Sequence, residues 1–178
     1  MNCFSIALLL ILCASALAGK PTLQELREAL RTYHPIWVVL RSFHTYGTRG
    51  EISCVYYMQL SLTDYHYQYI HGLKDGNAWK HLYLTGDLEQ KGDDAVVYVS
   101  ETRGQRGIPH TLQYWNREQH CFILTFENKT DGTTNCQQHV WEPYLRSHRP
   151  GSTYPCEEHY HRICGHRKYD VYSAACTA

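Results

Sequence analysis

The sequence predicts an all-β protein, built on an antiparallel sheet of eight strands with one helix before the sheet and one after it. Short runs rich in β-branched and aromatic residues follow one another through the middle of the chain, and Gly, Asp or Asn turn signals separate them. Seven short connections favour antiparallel neighbours. Such a sheet forms either a sandwich or an up-and-down barrel, and an eight-stranded barrel holds one small ligand.

The first 18 residues have the pattern of a secretory signal peptide. Phe4–Leu12 carries no charge, and small residues at Ala16 and Ala18 form a cleavage site. The apolar run is too short to span a bilayer, and no later segment is long enough. We therefore expect a secreted protein with no membrane span, whose single domain comprises residues 19–178.

A helix is predicted over Thr22–Tyr33, because leucines recur there at helical spacing and Thr22 with Glu25 forms a capping box. A second short helix is expected over Pro155–His166. The eight predicted strands between them are Ile36–Tyr46, Glu51–Leu62, Asp64–His71, Ala78–Thr85, Ala95–Glu101, Ile108–Trp115, His120–Glu127 and Asn135–Trp141.

The composition excludes some classes of protein. The 178 residues include 17 basic and 17 acidic side chains, and this even balance disfavours a nucleic-acid-binding protein. An apolar fraction of 43% disfavours a disordered chain. The 15 tyrosines combine apolar rings with hydroxyls that need partners, which is typical of pockets and interfaces.

Eight cysteines become six if the signal peptide is removed, because Cys3 and Cys13 lie within it. Six cysteines in an oxidising compartment predict three disulfides, although spacing alone does not choose among the possible connectivities. Asn128-Lys129-Thr130 is a sequon for N-glycosylation, so we expect a glycan at Asn128.

Motifs for catalysis and metal binding are missing from the sequence. It has no G-x-S-x-G elbow, no H-E-x-x-H and no phosphate-binding glycine loop, and paired cysteines leave no thiol nucleophile. His159 and His161 would point apart on a helix, where metal ligands need i, i+4 spacing. We expect no enzyme, no metal and no cofactor.

Five segments of the last third carry a family resemblance. They are Cys121-Phe122-Ile123-Leu124-Thr125, Cys136-Gln137-Gln138-His139-Val140-Trp141, Pro155-Cys156, Cys164, and Tyr169-x-Val171-Tyr172-x3-Cys176. They resemble the tick salivary lipocalins, a group similar to the tick histamine-binding proteins. The resemblance implies a secreted eight-stranded barrel that sequesters a small host mediator and so suppresses host inflammation and haemostasis.

The resemblance also implies disulfides between Cys54 and Cys176, Cys121 and Cys156, and Cys136 and Cys164. The first of these conflicts with the alternation of its strand. If Cys54 faces outward, so do Tyr56, Met58 and Leu60, yet they form the more apolar face. Either the tail covers that face or a bulge shifts the alternation, so the strand contributes no residue to the predicted pocket.

The amine-binding motif of the family has an Asp and a Glu that pair with the ligand's ammonium group. Here Phe122 stands where the Asp is expected, and Gln137 or His139 where the Glu is expected. A buried ammonium without a counter-charge carries a large desolvation penalty. Glu101 and Asp87 are alternative counter-charges. Between a biogenic amine and a lipid, an eicosanoid or fatty-acid derivative is therefore the preferred ligand.

Aromatic side chains that share strand faces either form cross-strand ladders or line a ligand cavity. The predicted pocket residues are Trp37, Tyr67, Tyr69, Trp79, Tyr83, Tyr98, Tyr114, Phe122, Leu124, Gln137 and His139. The alternative function is a modulator that binds a host plasma protein, such as a complement or immune protein, through the barrel surface. That alternative predicts an exposed apolar patch of several hundred Å².

Overall fold

In a computed structural model, residues 19–101, 104–146, 148–149 and 151–177 are described; the predicted signal peptide lies outside them. The helices are α1 (Leu23–Leu30) and α2 (Glu157–Cys164). The strands are β1 (Ile36–Arg41), β2 (Ile52–Leu62), β3 (His66–Asp75), β4 (Ala78–Lys91), β5 (Asp94–Ser100), β6 (Ile108–Asn116), β7 (Cys121–Glu127), β8 (Thr134–Trp141) and β9 (Tyr169–Asp170).

Strands β1 to β8 form a closed antiparallel barrel. Consecutive strands pair from β2 through β8, β8 pairs with β1, and β1 returns to β2 through Ile36 and Trp37. The predicted barrel is confirmed, and closure removes the sandwich alternative. The short strand β9 is not among the predicted strands, and it pairs with the last two residues of β1. Strand β4 continues to Lys91, six residues beyond the predicted end at Thr85.

Helix α1 closes one end of the barrel. Its predicted capping box is present, because the Thr22 side chain accepts from the backbone of Glu25 and the Glu25 carboxylate accepts from Thr22 N. Leu26 and Leu30 are buried in the barrel core. Trp141 Nε1 of β8 donates to the carbonyl of Ala29 at 2.9 Å, which ties the helix to the strand ends.

The connection between β1 and β2 is held at the opposite end by Asp75, which has no exposed surface. The Asp75 carboxylate accepts from the backbone of Thr48 and Arg49 and pairs with the Lys80 ammonium at 2.5 Å. These donors hold the pKa of Asp75 well below its usual range. Gly47 is required here, because a Cβ would lie 2.4 Å from Asp75 Oδ1.

A second layer covers the outside of the barrel. Helix α2 and the C-terminal tail pack on β1, β7 and β8, and form what we call the outer cluster with Trp37, Ile123, Val140, Tyr160 and Tyr172 among its members. Disulfides join Cys121 to Cys156, Cys136 to Cys164 and Cys54 to Cys176, which are the pairs that the resemblance implies.

Both alternatives for β2 are present in the structure: its pairing with β3 shifts register between Ser53 and Tyr56, and the tail covers part of its outer face. Tyr56 packs against Trp37, which in turn packs against Tyr172 of the tail, at ring-centroid distances of 5.1 and 5.2 Å. Cys54 belongs to the outer cluster and Tyr56 packs against it, so the tail covers that end of the strand. Leu60 lies at a second register shift of β2, between Gln59 and Ser61, and remains exposed. No helix in the described ranges is long and apolar enough to cross a membrane.

Candidate ligand-binding site

The barrel interior contains a cavity of about 170 Å³ next to helix α1, which contributes Leu30 to its lining. It is lined by side chains from α1 and seven strands: Leu30, Tyr57, Tyr67, Tyr69, His71, Leu84, Val97, Val99, His110, Phe122, Leu124 and Gln137. None of these lining residues carries a carboxylate, an ammonium or a guanidinium group. The cavity is therefore apolar and aromatic, with a few uncharged polar groups.

Aromatic rings form a continuous wall along one side of this space. Tyr67 stacks on Tyr69 at 4.6 Å between ring centroids, and Tyr69 meets the edge of Tyr57 at 5.3 Å. Tyr57 lies 5.4 Å from His139, and the His139 ring stacks on Phe122 at 4.5 Å with an interplanar angle of 4°. Contacts of this kind fix the ring orientations around the cavity.

The histidines of the barrel interior are uncharged at neutral pH. Burial lowers the pKa of His71 to about 4, and it also lowers the pKa of His110. His139 has no exposed surface, and desolvation with the nearby His110 lowers its pKa to about 3. Neither ring nitrogen of His139 makes a hydrogen bond of good geometry. The site therefore offers neutral imidazoles rather than cations.

Replacing His139 by Phe is expected to make stability less dependent on pH. The unfolded state protonates His139 below its ordinary pKa of 6.5, whereas the folded state resists protonation down to about 3. The stabilisation that depends on an uncharged His139 is complete above pH 6.5. It is lost as the pH falls from 6.5 towards 3, by about 1.4 kcal/mol per pH unit. Urea unfolding at pH 7.5 and 5 measures the slope. His81→Phe, at an exposed position, should leave it unchanged; equal slopes in wild type and His139→Phe would contradict the assignment.

Five of the predicted pocket residues line the cavity: Tyr67, Tyr69, Phe122, Leu124 and Gln137. The positions where the resemblance expects acids are thus in the barrel interior: Phe122 for the Asp, and either Gln137 or the buried His139 for the Glu. His139 lies behind Phe122 rather than on the cavity surface. Asp87 cannot serve as the counter-charge, because it pairs with His66 at 2.8 Å on the exposed surface. Glu101 is also exposed and does not line the cavity.

Three of the predicted pocket residues lie outside the barrel, because their side chains are on the outer face of their strands. Trp37 belongs to the outer cluster. Trp79 packs on Tyr56 and is 39% exposed, and Tyr83 is 73% exposed. Tyr83 pairs with Ile70, whereas its neighbour Leu84 pairs with Tyr69 and points inward. The leucines of β4 therefore mark the inner face, and this signal was available in the sequence.

Tyr98 and Tyr114 also point outward. Val97 and Val99 line the cavity, so Tyr98 between them faces outward, where the Arg106 guanidinium lies 4.9 Å from its ring centroid. Tyr114 stacks on His159 of α2 at 3.8 Å. The register shift between Leu112 and Tyr114 turns Tyr114 outward, because one extra residue reverses the alternation of β6 after Leu112.

A larger groove of about 670 Å³ lies outside the barrel, between described residues of the segments 142–146 and 151–154 on one side, and Glu157 and residues 168–177 on the other. Two of its charged groups pair with each other, because Glu157 accepts from Lys168 and also from the backbone of Tyr154. We place the candidate site in the barrel, where seven strands bring apolar and aromatic side chains around one space. Among the described residues, no group of three or more His, Cys, Asp or Glu side chains could hold a metal ion.

No protein-family model matches the chain, and no curated protein matches it. Its fold is similar to that of AM182 in a complex with serotonin, with a TM-score of 0.58, 15% identity, and coverage of 85% of this chain and 91% of that chain. It is also similar to Japanin from Rhipicephalus appendiculatus bound to cholesterol, with a TM-score of 0.53, 10% identity, and coverage of 83% and 98%. Both are tick salivary lipocalins. The predicted resemblance is confirmed at the level of the fold.

Proposed function

We propose that this chain, which has the lipocalin fold, is a secreted salivary protein of the tick type that sequesters a small lipid mediator. The single observation that carries the proposal is an aromatic cavity inside the barrel without any charged lining residue. Burial of an apolar ligand segment in such a cavity is the driving force for binding. Removal of the mediator would suppress inflammation and haemostasis in the host.

A biogenic amine is the less favoured ligand. An ammonium group in this cavity would lose its hydration and find no carboxylate at the motif positions, where Phe122 and either Gln137 or His139 stand. The neutral histidines do not compensate, because an imidazole nitrogen accepts a hydrogen bond without supplying a negative charge. Serotonin is bound by AM182, and cholesterol by Japanin, so the fold itself does not decide between the two classes.

The size of the cavity limits how much of a ligand it encloses. A dry cavity of about 150 Å³ holds one benzene ring, and pockets that enclose drug-sized ligands span roughly 300–1,000 Å³. The 170 Å³ found here therefore fits one ring or a short acyl segment. An eicosanoid or fatty-acid derivative meets this limit if its polar end stays at the open end of the barrel, away from α1.

Native mass spectrometry of the secreted protein, incubated with amines, leukotrienes, thromboxane and fatty acids, tests the proposal. We expect a lipid to be retained and histamine and serotonin to be lost. Retention of an amine without any lipid would overturn the lipid class. Retention of nothing would overturn sequestration itself and favour the protein-binding alternative.

A carboxylate ligand is expected to bind more tightly as the pH falls. His71 lines the cavity with a pKa of about 4, and a nearby carboxylate would raise that pKa. The complex then takes up a proton, so the affinity for octanoate should rise between pH 7.5 and 6, whereas the affinity for octanol should not. Calorimetric titration measures both. His71→Phe should remove the pH dependence, and its persistence in that variant would place the carboxylate elsewhere.

Secretion should lead to a glycan on Asn128. The residue lies in the turn between β7 and β8, where its side chain accepts from the backbone of the exposed Thr130. Expression in a eukaryotic secretory host should give a mass that falls on treatment with a glycosidase. Thr130→Ala should give the lower mass directly, whereas Lys129→Ala should keep the glycan. An unchanged mass on glycosidase treatment of the wild type would refute occupancy.

The outer face of β2, β3 and β4 favours a second candidate function, binding of a host plasma protein. Met58, Ile70 and Tyr83 form one cross-strand row on that face, and Leu60 and Trp79 are exposed beside it. Exposed apolar patches of this kind mark interaction sites. In binding assays with purified complement and platelet proteins, the double variant Trp79→Ser, Tyr83→Ser should lose any interaction while lipid binding persists. An interaction that survives the double variant would exclude this face.

A further inference from the structure

The barrel interior contains polar groups that lack hydrogen-bond partners. Among the buried atoms of the described residues, Tyr67 Oη, Gln59 Oε1 and both ring nitrogens of His139 have none. Gln59 pairs with Tyr69 across β2 and β3, which places it on the same inner face. Buried polar groups are nearly always paired with protein, with water or with a ligand. Several unpaired groups in one barrel indicate that something polar completes them.

Tyr67 is the member of this set that lines the cavity. It is 2% exposed, and its ring is held by the stacking contact with Tyr69. It is the second residue of β3, and the preceding turn is tied to α1, because Arg27 Nη1 donates to the carbonyl of Asp64. Tyr67 therefore lies near the closed end. Burial raises the pKa of its hydroxyl, which stays protonated and able to donate.

We infer that the buried segment of the ligand carries an uncharged oxygen, a hydroxyl or a carbonyl, that accepts a hydrogen bond from Tyr67 Oη. This inference rests on the proposed function and narrows it from apolar lipids to oxygenated ones. A carboxylate at this depth would find no cation among the lining residues, and an ammonium no anion. A neutral oxygen satisfies the Tyr67 hydroxyl without carrying a charge into the barrel.

Two isosteric probes separate the hydrogen bond from simple filling of the cavity. p-Cresol and p-xylene differ by a hydroxyl in place of a methyl group, and both have about the size that the cavity accepts. We expect the ratio of p-cresol affinity to p-xylene affinity to fall about fivefold to tenfold in Tyr67→Phe, as for the loss of one neutral hydrogen bond. Tyr160→Phe is the matched control, because Tyr160 is a buried tyrosine of the outer cluster, away from the cavity lining, and its hydroxyl donates to the carbonyl of Arg167. It should leave the ratio unchanged.

The possible outcomes separate the proposed function from the inference about Tyr67. Failure of both probes to bind the wild type would refute the proposed function. Binding of both with the same affinity ratio in wild type and Tyr67→Phe would refute only the inference, and would mean that water alone completes Tyr67. A ratio that falls equally in Tyr160→Phe would show an effect on the whole fold rather than a contact at Tyr67, and would also refute only the inference. The thermal midpoint of ligand-free Tyr67→Phe should not decrease, since the lost hydroxyl has no partner there.

Discussion

Leu84→Trp is expected to weaken lipid binding by about 100-fold or more, which corresponds to about 3 kcal/mol. Leu84 pairs with Tyr69 across β3 and β4 and lines the cavity. An indole at this position extends into a space of about 170 Å³, which is close to the volume of the ring system itself. Introducing a larger side chain into a packed core costs about 1–3 kcal/mol, but here the empty volume accommodates it. The variant should therefore fold and lose its site.

Tyr83→Trp is the matched control, because it introduces the same side chain one residue earlier on the exposed face. Its affinity for the lipid retained in mass spectrometry should equal that of the wild type. Fluorescence titration compares the variants, with near-ultraviolet circular dichroism as the check of folding. Full binding by a folded Leu84→Trp would place the ligand outside the barrel, and the groove beside Tyr154 and Tyr172 would become the candidate.

Strand β4 illustrates which part of the candidate site can be predicted from the sequence and which part cannot. Alternation correctly put Trp79 and Tyr83 on one face, but alternation does not say which face is inner. Tyr67 and Tyr69 line the cavity, and the pairing of Tyr69 with Leu84 across β3 and β4 puts Leu84 on the inner face as well. Aromatic residues were favoured as pocket residues, whereas on β4 the leucines fill the interior. The missed lining residues on the neighbouring strand, Val97 and Val99, are likewise aliphatic.

Irregular strand pairing explains why the prediction for Tyr114 was wrong. One extra residue at Gln113 reverses the inner face of β6, so His110 and Leu112 face inward while Tyr114 packs against α2. No periodicity in a single sequence announces such a bulge. Tyr57 was missed for a different reason. The outward face of its strand is apolar because the C-terminal tail covers it, and a contact between segments so distant in the chain is not visible in local alternation.

Removing the disulfide between Cys54 and Cys176 is expected to destabilise the fold by about 3–5 kcal/mol. The two residues are 122 positions apart, so the bond constrains most of the described chain in its unfolded state. It also holds the tail on the outer cluster, where Tyr172 packs against Trp37 and its carbonyl accepts from the Tyr154 hydroxyl at 3.2 Å. Loss of the bond should expose Trp37 without opening the cavity.

The pair Cys136 and Cys164 is the matched comparison, since it spans only 28 positions and lies in the same outer layer. Replacement of each pair by two serines should cost about 1 kcal/mol more for the longer loop, because loop entropy grows with the logarithm of loop length. Urea unfolding monitored by tryptophan fluorescence measures both costs. Equal costs, or a larger cost for the shorter loop, would show that packing of α2 and the tail outweighs chain entropy. Lipid affinity at low urea should survive the loss of the disulfide between Cys54 and Cys176, because no described residue of the tail lines the cavity. If the lipid affinity were lost instead, the outer layer would be shaping the site.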